Sequence, residues 1–114
     1  MATALPAALR TKGTCCVIQD RPSERRADAT AGLFRALADP TRVAIVSILR
    51  DAKDPVCICD LVATFELSQP TVSHHMARLR EAGLVESIRS GIWAFYRLRR
   101  DLPAPARRVI DAIP

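Results

Sequence analysis

Residues 67–98, LSQPTVSHHMARLREAGLVESIRSGIWAFYRL, decide the fold. The first half predicts a helix over about 69–82, which Ser68 caps and Gly83 stops. The second half contains two β-type runs on either side of the turn signal Ser90-Gly91, and this pattern predicts a β-hairpin. The stretch therefore predicts a helix followed directly by a small antiparallel hairpin.

Helical patterns flank this stretch on both sides. Leu33, Phe34 and Leu37 form one apolar stripe of a first helix, and Asp39-Pro40 supplies an N-cap and a first helical residue for the next. That second helix is apolar around most of its circumference, so we expect it to be the central buried helix. The predicted order is helix 23–38, helix 40–50, helix 59–66, helix 69–82, strands 84–89 and 92–98, and helix 102–113. This order predicts a mainly α fold, a winged helix-turn-helix in which the hairpin is the wing.

The length and composition limit the function classes. The chain has 114 residues, 49% apolar and 25% charged, which fits one soluble domain with or without a tail. Residues 1–22 show no sustained period and are predicted to be an N-terminal arm, with 23–114 as the folded domain. No apolar run approaches the roughly 20 residues of a membrane span, and no secretory signal is recognisable. We therefore expect a cytoplasmic protein that does not bind membranes and whose four cysteines are reduced thiols.

Positive charge is concentrated in one segment. The net charge is +5, and 15 of the 17 basic residues are Arg. Residues 68–100 hold six Arg against Glu81 and Glu86, a net +4. This concentration favours an anionic polymer as partner, although an ordinary solvated surface would look similar by charge alone.

The helix at 69–82 has two different faces. Val72, Met76 and Leu79 share one side and should pack into the core, while polar residues occupy the opposite side. Side chains near the start of such a helix read bases in the major groove, where Gln can pair with adenine. The candidate DNA contacts are Ser68, Gln69, Thr71, Ser73, His74 and Arg78 on the helix, and Arg89 and Ser90 at the wing tip. His75 lies beside the apolar stripe and is expected to be partly buried and hydrogen-bonded.

Three aromatic residues lie in the second wing strand: Trp93, Phe95 and Tyr96. Such a set could stack on single-stranded bases. We predict instead that these side chains pack on the helices beneath the wing.

The cysteines form two tight pairs, Cys15-Cys16 and Cys57-Ile58-Cys59. In an extended segment both sulfurs of the second pair would face one side, whereas in a regular helix they would diverge by about 200°. Four thiols in two pairs suit a thiophilic ion. Two alternatives are packing as small apolar residues, reasonable for Cys59 alone, and redox sensing through a disulfide.

Three motifs resemble one known family, the arsenic-responsive ArsR/SmtB repressors. They are Phe34–Arg42 (FRALADPTR), Cys57–Leu61 (CICDL) and Leu67–Leu79 (LSQPTVSHHMARL), and the resemblance covers about residues 30–100. It implies a homodimer joined through the first and last helices, which binds double-stranded operator DNA and is released by metal. It also implies that Cys57 and Cys59 are metal ligands, with Cys15 and Cys16 as additional ligands from the arm.

The inducer follows less directly from the resemblance. Many arsenic sensors of the family use three thiols around the third helix, but no third Cys follows Cys59 here. Trivalent arsenic, or antimony, prefers three sulfurs, which the arm pair and the helix pair could supply together. A set of four thiolates also resembles the metal sites of the cadmium and lead sensors of the family. We therefore expect As(III) as the inducer, with Cd(II) or Pb(II) next, zinc less favoured, and thiol redox sensing as a further alternative.

Two other function classes fit the sequence less well. A thiol enzyme such as an arsenate reductase needs an anion-cradling, Gly-rich loop, which the sequence does not show, so we predict that the protein is not an enzyme. A metal-storing protein would leave the polar face of the helix at 69–82 unexplained.

Overall fold

The computed structural model describes residues 20–114, so the predicted arm lies almost entirely outside the described residues. Within this range the chain forms five helices and three strands, and the five helices and the two wing strands follow the order predicted from the sequence. The elements are α1 (Glu24–Leu37), α2 (Pro40–Asp51), β1 (Val56–Cys57), α3 (Ile58–Phe65), α4 (Gln69–Glu81), β2 (Val85–Ser90), β3 (Trp93–Leu98) and α5 (Ala104–Asp111). The mainly α winged helix-turn-helix is confirmed.

Short polar side chains start three of the helices. Ser23, Asp39 and Ser68 each adopt extended backbone and accept a hydrogen bond from the backbone N–H three residues later, at distances of 3.2, 3.0 and 3.3 Å. These bonds satisfy N–H groups that the first helical turn leaves without a partner. The local sequence therefore fixes where α1, α2 and α4 begin.

The core lies between α2, α4 and the wing. Ile45 and Val46 of α2 are completely buried, as are Val72, Met76 and Leu79 of α4. The prediction that α2 is the central helix and that this side of α4 faces inward is confirmed. Because the apolar side of α4 is anchored in this way, its polar side is held outward.

The wing belongs to a three-stranded antiparallel sheet in the order β1-β3-β2. Ser90 pairs with Trp93, so the turn consists of Gly91 and Ile92, one residue later than predicted. Gly91 has φ +61°, and Gly at the first central position with a normal second residue is typical of a type II′ hairpin turn. The two-residue strand β1, which no periodic pattern indicates, pairs Val56 with Tyr96 and joins the start of α3 to the wing.

Two apolar residues expected in the core are exposed instead. Phe34 is 53% exposed because α1 buries Leu33, Ala36 and Leu37, and Phe34 lies at the edge of that stripe. Trp93 is 52% exposed, whereas Tyr96 is buried as predicted. Strand alternation places Trp93 on the opposite face of β3 from Tyr96.

Candidate functional site

The start of α4 presents several polar side chains to solvent. Gln69, Thr71 and His74 are exposed, and Ser73 is half-buried. The Ser68 hydroxyl caps the helix and lies 2.8 Å from the Thr71 hydroxyl. The helical N-terminus and these side chains together form a polar surface of the kind that enters a DNA groove.

The turn between α3 and α4 depends on one unusual backbone conformation. Glu66, which ends α3, is left-handed with φ 54° and ψ 37°. Leu67 then packs against the core and Ser68 caps α4. Ending α3 in this conformation reverses the chain within three residues and sets the angle between the two helices.

A polar network holds α4 against α2. The guanidinium of Arg42 donates from Nε to the carbonyl oxygen of Ala36 at 2.7 Å, and its Nη1 lies 3.2 Å from Nδ1 of His75. Because a guanidinium can only donate, Nδ1 of His75 accepts. The Asp39 carboxylate lies 3.9 Å from the same ring nitrogen. The pKa of Asp39 is lowered first by the backbone N–H of Arg42, against a smaller opposing effect of burial, and further by the nearby positive charge of Arg42.

The prediction of a partly buried, hydrogen-bonded His75 is confirmed, but sequence reasoning missed the role of Arg42. Arg42 and His75 are 33 residues apart, so no local pattern indicates their contact. The N-cap at Asp39 and the partly buried His75 were the parts of this network that the sequence indicated.

Part of the basic charge is neutralised within the segment that carries it. Arg78 forms an exposed ion pair with Glu81 at 3.4 Å, and Arg97 pairs with Glu86 across the wing. Arg89 and Ser90 are exposed at the end of β2. The wing tip also exposes 88% of Ile92, a residue that the sequence analysis did not single out.

The second cysteine pair bridges β1 and the first turn of α3. Cys57 is buried and extended, while Cys59 is exposed in the helix. The structure joins the two sulfur atoms directly, with the Cα atoms 5.2 Å apart. The Cys57 sulfur also accepts from the backbone N–H of Cys59 at 3.3 Å and caps α3.

This geometry answers one open question and corrects one expectation. The two sulfurs converge because the chain changes from strand to helix between them. The residue that packs inside is Cys57 and not Cys59. The Cα separation of 5.2 Å lies within the range that allows two sulfurs to bond, so the pair can exist as a dithiol or as a disulfide.

The cysteine pair shares a cavity with the polar face of α4. The cavity has a volume of about 250 Å³ and lies between the start of α3, the start of α4 and the wing. Its lining includes both cysteines together with Gln69, Ser73 and Arg89. An ion or adduct on the sulfurs would therefore lie beside three of the candidate DNA contacts.

Cys15 and Cys16 lie outside residues 20–114, so their position relative to this cavity is not described. Within residues 20–114, no group of three or more His, Cys, Asp or Glu side chains is arranged to hold a metal ion. The described part of the chain thus brings two sulfurs together. No helix within it is long and apolar enough to cross a membrane.

Residues 39–87 match the family model described as "Bacterial regulatory protein, arsR family". A curated relative, the arsenical resistance operon repressor of Escherichia coli K12, is 44% identical over 79 residues, which cover 69% of this chain and 67% of that protein. The chain belongs to the ArsR family. The HTH-type transcriptional repressor SmtB of Mycobacterium tuberculosis is 40% identical over 84 residues, 74% of this ArsR-family chain and 61% of that protein.

Solved structures agree with the fold of this ArsR-family protein. HlyU from Vibrio cholerae superposes with a TM-score of 0.68 at 28% identity, covering 78% of this chain and 91% of that one. The transcriptional repressor BigR from Xylella fastidiosa gives a TM-score of 0.63 at 32% identity, covering 78% and 83%. Each match covers 78% of this chain, far more than α3 and α4 alone contain.

Proposed function

We propose that this ArsR-family protein is a cytoplasmic transcriptional repressor that binds operator DNA as a homodimer. Binding of As(III), or of antimony, to its cysteine thiolates releases the DNA. The observation that carries the proposal is the cavity shared by Cys57, Cys59 and the polar start of α4. In this arrangement the proposed sensing site and the proposed DNA-reading surface would lie side by side. The resemblance to repressors of arsenical resistance supports the choice of ligand.

DNA recognition is assigned to α4 and the wing. The start of α4 would enter the major groove, where Gln69 and Ser73 can bond base edges and Thr71 can meet a thymine methyl. Ser68, His74, Arg78 and the wing residues Arg89 and Ser90 complete the proposed contacts. The Arg side chains contact phosphates and supply much of the affinity.

The dimer is assigned to α1 and α5. The exposed Phe34 on α1 supports this assignment, because an apolar side chain left 53% exposed in one protomer is suited to cover by a second. In such a dimer the two α4 helices would reach successive major grooves about 34 Å apart. Residues 23–114 would then serve both DNA binding and dimerisation.

The ligand set is assigned to all four cysteines. Cys57 and Cys59 provide two sulfurs in contact, and Cys15 and Cys16 of the arm would add a third, or a third and a fourth. Three sulfurs suit As(III), whereas four suit Cd(II) or Pb(II). The similarity to the M. tuberculosis SmtB repressor keeps other metal ions as the alternative.

Metal binding would act on α3 and α4 together. Cys57 caps α3, so an ion on its sulfur competes with the bond from the backbone N–H of Cys59. The same ion would lie in the cavity that Gln69 and Ser73 line. A coupling of roughly 1–3 kcal/mol between the two sites would lower DNA affinity from several-fold to more than a hundredfold.

The test is a fluorescence anisotropy titration of reduced protein on DNA from upstream of its own gene. Arsenite, cadmium, lead and zinc are added in turn at fixed salt. Cys57→Ser should retain DNA binding, because Ser is a good N-cap, and should abolish release. Cys59→Ser, at the exposed partner position, should do the same, and Ser87→Ala on the exposed side of β2 is the matched control. If metal still released DNA from the Cys57→Ser protein, the assignment of Cys57 to the metal site would be refuted.

The contact between the Cys57 and Cys59 sulfurs favours one second candidate, a thiol redox sensor. A peroxide would oxidise the two thiols to one disulfide, and its two oxygen atoms would leave as water. DNA release by peroxide, reversed by a dithiol reductant and absent with arsenite, would favour this candidate over the metal sensor.

A further inference from the structure

A cleft between α1, α2 and α4 is lined by three arginines. Arg35 comes from the last turn of α1, Arg42 from the first turn of α2, and Arg78 from the last turn of α4. The cleft has a volume of about 400 Å³, and among its described lining residues Glu81 carries the one carboxylate. Three guanidinium groups against one carboxylate leave an excess of two positive charges. The cleft is therefore suited to an anion.

Two of the three arginines are available to a ligand. Arg35 is exposed, and among residues 20–114 no carboxylate forms an ion pair with it. Arg78 is exposed as well, and an exposed ion pair such as its contact with Glu81 is weak and easily exchanged. Arg42 is instead tied to the protein itself by two hydrogen bonds. Direct contacts therefore fall to Arg35 and Arg78.

Small residues keep the space in front of these arginines open. Gly32, Ala36 and Ala82 complete the lining. Gly32 lies in the interior of α1, where Gly is the least favourable residue after Pro. A Cβ at this position would meet no atom within 4 Å, so close packing does not account for the glycine. Its missing side chain widens the cleft, and since one water occupies about 30 Å³ in the liquid, there is room for a phosphate group and several waters.

The cleft and the cysteine cavity lie on opposite flanks of the polar face of α4. Ser73 lines the cavity and Arg78 lines the cleft. Five residues at roughly 100° each place these two positions about 140° apart around the helix axis. A helix in the major groove has one phosphate backbone on each side, because the groove, about 12 Å wide, admits a single helix. The wing lies on the side of the cavity, so the other backbone would pass the cleft.

We propose that Arg35 and Arg78 bind a phosphate group in this cleft. The planar fork of a guanidinium matches the spacing of two phosphate oxygens. The position beside α4 favours the operator backbone as the source, and free inorganic phosphate offers the same chemistry. The proposal rests on the proposed function, because it adds a residue of α1 to the surface that binds DNA. Since the dimer is also assigned to α1, this contact would link the hold on DNA to the pairing of the protomers.

The first arm of the experiment measures operator binding by fluorescence anisotropy at several salt concentrations, with the reduced full-length chain. Arg35→Ala should lower the affinity by about five- to tenfold at about 0.1 M salt. The slope of the log binding constant against log salt concentration should decrease by at least about 0.9. Arg35→Lys keeps the charge and should restore the slope. Arg25→Ala removes an exposed arginine of the same helix outside the cleft lining, so it is the matched control and should leave the slope unchanged.

Substitutions at Gly32 separate a blocked cleft from a damaged fold. Gly32→Leu places a branched side chain in the cleft and should weaken DNA binding about as much as Arg35→Ala. Because Leu is a strong helix former, its Tm should not fall. Gly32→Ala adds a single Cβ to open space, so it should raise the Tm and leave DNA binding unchanged.

The second arm omits DNA and uses inorganic phosphate as the probe. Thermal unfolding is compared in phosphate and in chloride at the same ionic strength. If free phosphate binds in the cleft, the Tm of the unaltered chain should rise with phosphate concentration. Arg35→Ala and Gly32→Leu should both abolish that rise, whereas Arg25→Ala should retain it.

The two arms identify the source of the phosphate. A loss of slope in the first arm with no effect in the second assigns the cleft to the operator backbone, and the reverse result assigns it to a free anion. The inference is overturned if Arg35→Ala and Gly32→Leu behave like the unaltered chain in both arms. It is also overturned if Arg25→Ala has the same effects as Arg35→Ala.

Failure of this inference differs from failure of the proposed function. If the unaltered chain still binds operator DNA and is released by arsenite, the proposed function stands without the cleft. If the unaltered chain does not bind operator DNA, the proposed function fails, and the phosphate titration alone decides whether the cleft is an anion site.

Discussion

Removing the Arg42 side chain should destabilise the fold and misplace α4 at the same time. Arg42→Ala deletes the bonds to the Ala36 carbonyl (2.7 Å) and to His75 Nδ1 (3.2 Å), both partly buried. A hydrogen bond from a charged donor contributes about 1.5–3 kcal/mol, and partial exposure places each of these at or below the lower end. We expect a total loss of about 2–3 kcal/mol, equivalent to a Tm lower by about 10–20 °C for a domain of this size.

A double-mutant cycle with His75→Ala isolates the contact between the two helices. Urea unfolding of the unaltered chain, the two single variants and the double variant should give a coupling free energy of about 0.5–1.5 kcal/mol. A coupling free energy near zero would show that Arg42 and His75 do not support each other. A loss of less than about 0.5 kcal/mol in Arg42→Ala would refute the bonding pattern itself.

Arg78→Ala is the matched control for stability. It removes the same type of side chain, but one whose ion pair with Glu81 is exposed to solvent. Its side chain is 56% exposed and that of Glu81 is 65% exposed, so its loss should change the free energy of unfolding by less than about 0.5 kcal/mol. The Arg78→Ala variant should bind DNA more weakly. The slope of its log binding constant against log salt concentration should decrease by about one unit. Arg42→Ala, measured below its unfolding transition, should weaken DNA binding with an unchanged slope. A reduced slope would instead make Arg42 a phosphate contact.

Substitutions at three further positions test local features. Asp39→Ala should lower the free energy of unfolding by about 1 kcal/mol, whereas Asp39→Asn keeps the cap. Because folding lowers the pKa of Asp39, mainly through the backbone N–H of Arg42, its charge stabilises the fold above the ordinary carboxyl pKa of about 4, and this contribution is lost as the pH falls through the folded-state pKa. Urea unfolding at pH 7 and pH 3 should therefore show the stability difference between the Asp39→Asn variant and the unaltered protein narrowing in acid. Glu66→Gly should stabilise by about 0.5–1 kcal/mol, since Gly relieves the left-handed backbone, and a lower Tm would contradict this. Gly91→Ala should cost about 1 kcal/mol at φ +61° and weaken DNA binding through the wing, and unchanged thermal unfolding would show that the turn relaxes freely.

Local sequence was sufficient for the five helices and the two wing strands. The caps at Ser23, Asp39 and Ser68 act through bonds that span three residues, and the apolar stripe of α4 repeats within one helix. Such short-range chemistry is visible in a sequence. The exposed polar residues of α4 followed from the same helical periodicity, because they lie opposite its apolar face.

The features that the sequence did not predict correctly all depend on contacts between distant segments of the chain. Phe34 and Trp93 belong to apolar patterns, but only the packing of neighbouring elements decides which member of a pattern stays in solvent. β1 was missed because two residues carry no periodic signal, and its existence depends on pairing with β3.

The sequence by itself determined the winged helix-turn-helix, the polar face of α4 and the presence of a closely spaced cysteine pair, because each depends on residues a few positions apart. The tertiary structure alone decided that the two sulfurs converge, that they share a cavity with Gln69, Ser73 and Arg89, and that Arg42 joins α2 to His75. The cavity and the Arg42 contact require distant chain segments to meet, as Arg42 and His75 do across 33 residues. Such long-range contacts depend on how the buried faces of the helices and the sheet pack together, which no local sequence pattern predicts.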